Sequence, residues 1–139
     1  MYTLSFEENP KPTDMEILSK GIMSYAATQR SLPPIETFAY YLRDEQDNII
    51  GGCSGAIFYG CVYIDQLWLS EPLRGQGCGT KLMQAALAYG KEKGCTFATV
   101  NTMDWEALGF YQKLGFEVEP ARTGFMKDSI FYFLRKDFA

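Results

Sequence analysis

The run "CVYIDQLWLS" (Cys61–Ser70) reads as a strand and leads into "LRGQGCGTKL" (Leu73–Leu82), where three glycines occupy every second position between an arginine and a lysine. A stretch of strong helix formers, "TKLMQAALAYGKEKG", comes next and ends on Gly94 as its C-cap. Strand, glycine loop and helix in this order call for a sheet, which excludes a helical bundle or a repeat array. The loop also has a chemical bias. The first turn of a helix leaves N–H groups unpaired, the helix dipole adds partial positive charge, and glycine lets a ligand approach the backbone.

Several templates compete for these letters. A Walker A loop started at Gly75 needs glycine where Thr80 stands, and the dinucleotide fingerprint fails at the same residue. The pattern [QR]-x-x-G-x-[GA] is met by Arg74, Gly77 and Gly79. A glycine-rich turn with no ligand fits the letters as well.

Elsewhere the punctuation is regular. "YTLSF" (Tyr2–Phe6) is expected as a short edge strand, stopped by Pro10 and Pro12, with Asp14 capping a helix through "MEILSKGIMSYAAT". "SLPPIE" breaks that helix. "FAYYLRDEQDNIIGGCSGAIFY" reads as a hairpin turning at "DEQDN". "CTFATVN" is a buried-type strand, "DWEALGFYQKL" a helix capped by Asp104 and stopped by Gly115, and "GFEVE" and "SIFYFLRKD" two closing strands. The expected fold is a mixed α/β (α+β) sheet in a single domain spanning 1–139.

Composition narrows the function. Histidine is absent and the four cysteines, at 53, 61, 78 and 95, form no CxxC pair, so free, mostly buried thiols are expected and no metal. Without histidine, a general base must be a carboxylate, tyrosine, cysteine or water. A net charge of −4 argues against nucleic acid. No transmembrane run and no secretory leader are read, so a cytoplasmic location with no membrane partner is expected.

A second string, "WEALGFYQKLGF", follows the glycine loop by about thirty residues. Together with "LWLSEPLRGQGCGTKLMQAALAYGKEKGC" it resembles the GNAT superfamily of acyl-CoA-dependent N-acyltransferases. That pattern runs strand, proline-containing step, R-G-x-G-x-G, helix, strand, then A-x-x-x-Y-x-K-x-G-F, met here by Ala107, Tyr111, Lys113, Gly115 and Phe116. The resemblance covers Asp65 to Glu119; before that, only element order agrees. It implies a mostly antiparallel sheet flanked by helices, with a splayed central strand pair that binds CoA, and acetyl-CoA as cosubstrate. The backbone of Gln76, Gly77, Cys78, Gly79 and Thr80, with Gly75, would cradle the pyrophosphate, with Arg74 bracing the loop or pairing with phosphate. Leu67, Trp68 and Leu69 would pair with the pantetheine arm.

One feature of that strand is legible without the resemblance. Val62 and Ile64 place apolar groups on even positions, Leu67 and Leu69 on odd ones. Strand side chains alternate, so a bulge between Ile64 and Leu67 would account for the change of parity, as would a strand buried on both faces. In the family a bulge there frees an N–H that polarises the thioester carbonyl.

Acetyl transfer to an amine needs a base for the amine and an acid for the departing thiolate. Tyr111 matches the family's general acid, although Ala107, Phe110, Tyr111 and Leu114 also form a helical apolar face. Asp65 is the first candidate base. Glu71 reads as loop rim and Glu106 as a helix-surface charge. Where many members carry asparagine, seven residues before the tyrosine, this chain has Asp104; Asn101 is the candidate replacement beside pantetheine. The expected acceptor is a primary amine of a small molecule, with a peptide acceptor or a non-catalytic acyl-CoA-binding module as alternatives, and a homodimer is expected by analogy.

Overall fold

The computed structural model describes residues 1–138, and the chain divides into two compact units, Met1–Pro34 and Ile35–Ala139. The first unit contains helix α1, Pro12–Arg30. Pro12 opens it, because a fixed φ suits the first helical position and its missing N–H would be unpaired there anyway. Asp14 therefore lies inside the first turn and forms no side-chain cap, contrary to the sequence reading. Residues 2–6 have no regular structure. The expected edge strand is absent because alternation alone cannot make a strand without a ladder partner.

The second unit is a six-stranded sheet in the order β1-β2-β3-β4-β6-β5. Its strands are β1 (Glu36–Arg43), β2 (Ile49–Phe58), β3 (Cys61–Leu69), β4 (Phe97–Met103), β5 (Glu117–Arg122) and β6 (Phe131–Asp137). The β1–β2 hairpin closes where the Asp44 carboxylate accepts the N–H groups of Gln46 and Asn48, each at 2.9 Å. All neighbours are antiparallel except β3 and β4. Helix α2 (Cys78–Glu92) supplies the crossover between these two parallel strands.

α2 lays Leu82, Met83, Ala86 and Leu87 over Val62, Ile64, Ala98, Val100 and Leu134, and these residues form the core. Gly90 is required where the helix meets the sheet: a Cβ there would stand 2.6 Å from Val62 Cγ1. The short helix α3 (Leu108–Lys113) follows β4 and is stopped by Gly115, whose φ of 94° few other residues adopt. Lys136 Nζ donates to the Leu114 carbonyl at 2.6 Å, satisfying an orphan acceptor at that helix end.

Candidate active site

β3 and β4 pair only from Cys61↔Phe97 to Ile64↔Val100, although β3 runs on to Leu69 and β4 to Met103. Beyond that point the two strands diverge. The cause sits on β3. Ser54 pairs with Gln66 while its neighbour Gly55 pairs with Ile64, leaving Asp65 as the extra residue of a bulge. The bulge reverses the parity of β3 as the apolar spacing predicted: Val62 and Ile64 are buried, then Leu67 and Leu69 turn to the same core.

The cleft so opened holds two neighbouring cavities. The smaller, about 270 Å³, is lined by Leu67, Trp68 and Leu69 of β3, Arg74 and Gly79 of the glycine loop, and Ala107 and Phe110. The larger, about 640 Å³, shares Leu67, Trp68 and Ala107 with it and adds Cys53, Tyr63, Asp65, Asn101, Glu106 and Tyr111, among others.

At the loop end, Gly75 and Gly77 take φ of 77° and 80°, a region costly for residues with a Cβ. These turns aim the start of α2 at the smaller cavity, where Gly79 lies close under Phe110. Gly77 caps the helix, and the first bond back to it comes from Lys81 N–H at 3.1 Å, so the N–H groups of Cys78, Gly79 and Thr80 precede the helical ladder. No acidic residue stands in that first turn. This end suits an anionic phosphate. Arg74 Nε donates to the Leu69 carbonyl at 3.2 Å and ties the loop to the end of β3, while Gln76 Nε2 donates to the Pro72 carbonyl at 2.7 Å and ties it to the turn that follows the strand.

Tyr111 projects from α3 into the larger cavity. It is only 6% exposed, packed edge-on against Phe110 and Phe116. Burial first, then the nearby Glu106 and Cys53, pushes its phenol up to about 12. It therefore holds its proton throughout the neutral range.

Asp65 is solvent-exposed on the bulge and lines the larger cavity. The Tyr63 hydroxyl donates to Asp65 Oδ1 at 3.4 Å and accepts from Asn101 Nδ2 at 3.1 Å. Burial, then the neighbouring Asp65 charge, raises the Tyr63 phenol, against the opposing effect of Asn101. Tyr63 carries no motif of its own in the sequence; its alternation with Asp65 beside the expected bulge is the available signal.

The other expected positions are distributed differently. Asp104 lines neither cavity and does not cap α3, whose N-cap is Ala107. Residues 104–107 form a turn, and Asp104 is tied instead to Ile130, whose N–H it accepts at 3.1 Å through Oδ1. Glu106, read from sequence as a surface charge, lines the larger cavity and accepts the Met103 N–H at 3.0 Å. Cys53, Cys61 and Cys95 are buried free thiols and Cys78 is half-buried.

A strand pair splayed by a bulge, a glycine loop opening a helix at one end of the split and a buried tyrosine at the other are now in place. A family model described as the Acetyltransferase (GNAT) family matches residues 4–116. The chain belongs to the GNAT acetyltransferase family. Acyl-CoA-dependent acetyl transfer is the chemistry of that family, with acetyl-CoA as cosubstrate. Blasticidin-S acetyltransferase of Streptomyces morookaense is 35% identical over 86 residues, which is 61% of this chain. The chain spans about 63% of the length of that relative. The GNAT fold is seen again in a provisionally assigned acetyltransferase from Agrobacterium tumefaciens, with a TM-score of 0.87 at 21% identity over 99% of this chain and all of that one. A provisionally assigned streptothricin acetyltransferase from Bacillus anthracis, in complex with acetyl coenzyme A, aligns over 73% of this chain and 62% of its own, with a TM-score of 0.66 at 20% identity. No helix among the described residues is long and apolar enough to cross a membrane.

Proposed function

We propose that the chain transfers the acetyl group of acetyl-CoA directly to a primary amine of a small cationic molecule. The observation that carries this reading is the opposite charge character of the two ends of one cleft. The smaller cavity has Arg74 and the N-terminus of α2; the larger is lined by Asp65 and Glu106 and by no lysine or arginine. An anionic cosubstrate and a cationic acceptor would enter from different ends and meet beside Tyr111.

In this reading the backbone from Gly75 to Thr80 holds the pyrophosphate, and the exposed backbone of Leu67, Trp68 and Leu69 holds the pantetheine arm. The cosubstrate supplies a thioester whose carbonyl carbon is attacked by the amine nitrogen; the C–N bond forms and the C–S bond breaks. Asp65 takes the proton released by the amine, and Tyr111 gives one to the departing sulfur. The buried phenol is protonated throughout the neutral range, so a proton is present at Tyr111 when the C–S bond breaks. Asp104, held at Ile130, has no part in this scheme.

Thiol release from acetyl-CoA, measured against polyamines, aminoglycosides, blasticidin S, amino acids and a lysine peptide, tests the proposal. Turnover with a small cationic amine and weaker turnover with the peptide is expected. Tight CoA binding with no thiol release from any amine would make the chain a binding module instead.

A further inference from the structure

Asp65 is not an isolated carboxylate. It ends a hydrogen-bonded chain that begins on the far side of the split: Asn101 on β4 donates to the Tyr63 hydroxyl, and that hydroxyl donates to Asp65 on the bulge of β3. All three line the larger cavity. Asn101 lies one residue past the last β3–β4 backbone pair, Ile64↔Val100, so the side chains take over the bridge where the ladder stops. Asn101 was a candidate pantetheine contact from the sequence; here its amide is engaged by a tyrosine.

Direction matters in this chain. An amide nitrogen only donates and a carboxylate only accepts, so the tyrosine between them accepts from one side and donates to the other. Its proton is thereby aimed at Asp65, and the carboxylate keeps its second oxygen, Oδ2, for a ligand. Without Tyr63, an exposed aspartate on a bulge has several rotamers of similar energy, and only some of them face the cavity.

We propose that Tyr63, held by Asn101, is a positioning residue that fixes the Asp65 carboxylate toward the acceptor amine, so that acceptor recognition in this chain depends on a side-chain bridge across the splayed strands. The inference rests on the acetyl-transfer reading above and on Asp65 as its base. It assigns to Tyr63 and Asn101 work on the acceptor, and none on the cosubstrate.

The test is a double-mutant cycle on purified protein, with blasticidin S and spermidine as acceptors and thiol release as the readout. Tyr63→Phe keeps the ring and removes only the hydroxyl. It is expected to lower kcat/KM for the acceptor by roughly three- to fivefold, the worth of a modest hydrogen bond, because the 3.4 Å contact is longer than a strong charge-assisted one, with KM for acetyl-CoA within about twofold. In an Asp65→Asn background the same change should cost less than about twofold, because residues acting as a unit are not additive. Asn101→Ala should repeat the pattern more weakly, and it carries the test if Tyr63→Phe lowers the thermal midpoint markedly. Equal losses from Tyr63→Phe in both backgrounds, or a rise in KM for acetyl-CoA alone, would overturn the positioning role and leave the acetyl-transfer reading standing. Wild-type turnover unaffected by Asp65→Asn would remove Asp65 as base, and this inference with it. No turnover of either amine would remove the acceptor reading itself.

Discussion

Gly55 faces the carbonyl of Tyr63 so closely that a Cβ at position 55 would overlap its oxygen, with the Ile64 backbone only 3.2 Å away. Both residues lie directly beside the register shift that releases Asp65, since Gly55 pairs with Ile64 while Ser54 already pairs with Gln66. The bulge that opens the site thus depends on a missing side chain in the neighbouring strand.

Gly55→Ala should therefore act on both stability and activity. Overpacking against backbone costs about 1–3 kcal/mol, because neither strand can move aside without breaking its ladder. A fall in thermal midpoint of roughly 5–10 °C is expected, together with a loss of kcat larger than that of an alanine substitution at Gly109, where a Cβ meets nothing within 4 Å. Unchanged melting would show that the strands accommodate the methyl group and that the bulge does not need glycine.

Tyr111→Phe should remove the acid and leave the scaffold. The ring packing with Phe110 and Phe116 is kept, so the melting temperature should move little. Loss of general-acid help is worth about 10²–10⁴-fold in kcat, and KM for acetyl-CoA should hardly change. With the phenol pushed up to about 12, Tyr111 should impose no descending limb on the pH–rate profile below about pH 11. A limb near pH 9–10 that vanishes in Tyr111→Phe would contradict its buried, protonated state.

Alkaline stability follows from the same burial. Cys61 is pushed up to about 11 by burial first and by neighbouring Cys95 second, and Tyr111 to about 12. Unfolded, these groups titrate near ~8.5 and ~10. Between those values and the folded ones the native state binds more protons than the unfolded chain, so stability is fully present below about pH 8.5 and falls as pH rises through 11 and 12. Urea midpoints measured from pH 8 to 11 should decline, and Cys61→Ala should flatten the decline even if it lowers the starting value. A midpoint independent of pH over that range would be evidence against the raised thiol.

Gly77→Ala tests the loop. At φ 80° an alanine pays about 1–2 kcal/mol for the left-handed conformation, or else the loop rotates and the N–H groups leave their alignment. Isothermal titration should show CoA affinity reduced by roughly tenfold. Acceptor KM, set at the other end of the cleft, should be nearly unchanged.

The residues read correctly from the chain share a physical basis. The glycine loop, the helix after it, the β1–β2 hairpin and the bulge at Asp65 each follow from letters a few positions apart: positive φ, helix propensity, turn chemistry, the parity of apolar residues. Asp104 shows the limit. By local rules it is a good helix cap, yet Ile130, twenty-six residues on, supplies the N–H it accepts, and the helix begins only at Leu108. Asn101 likewise finds Tyr63 thirty-eight positions away. Residues 2–6 had the alternation of a strand and no partner strand to complete it.

By itself, then, the sequence determined the backbone of this protein's central strand–loop–helix, because φ preference and side-chain parity act within a few residues. Tertiary structure alone decided which polar side chains face one another across the split. Hydrogen-bond partners such as Asn101, Tyr63 and Asp65 come together only when β3 and β4 pair and then part, and no local pattern records where two strands will part.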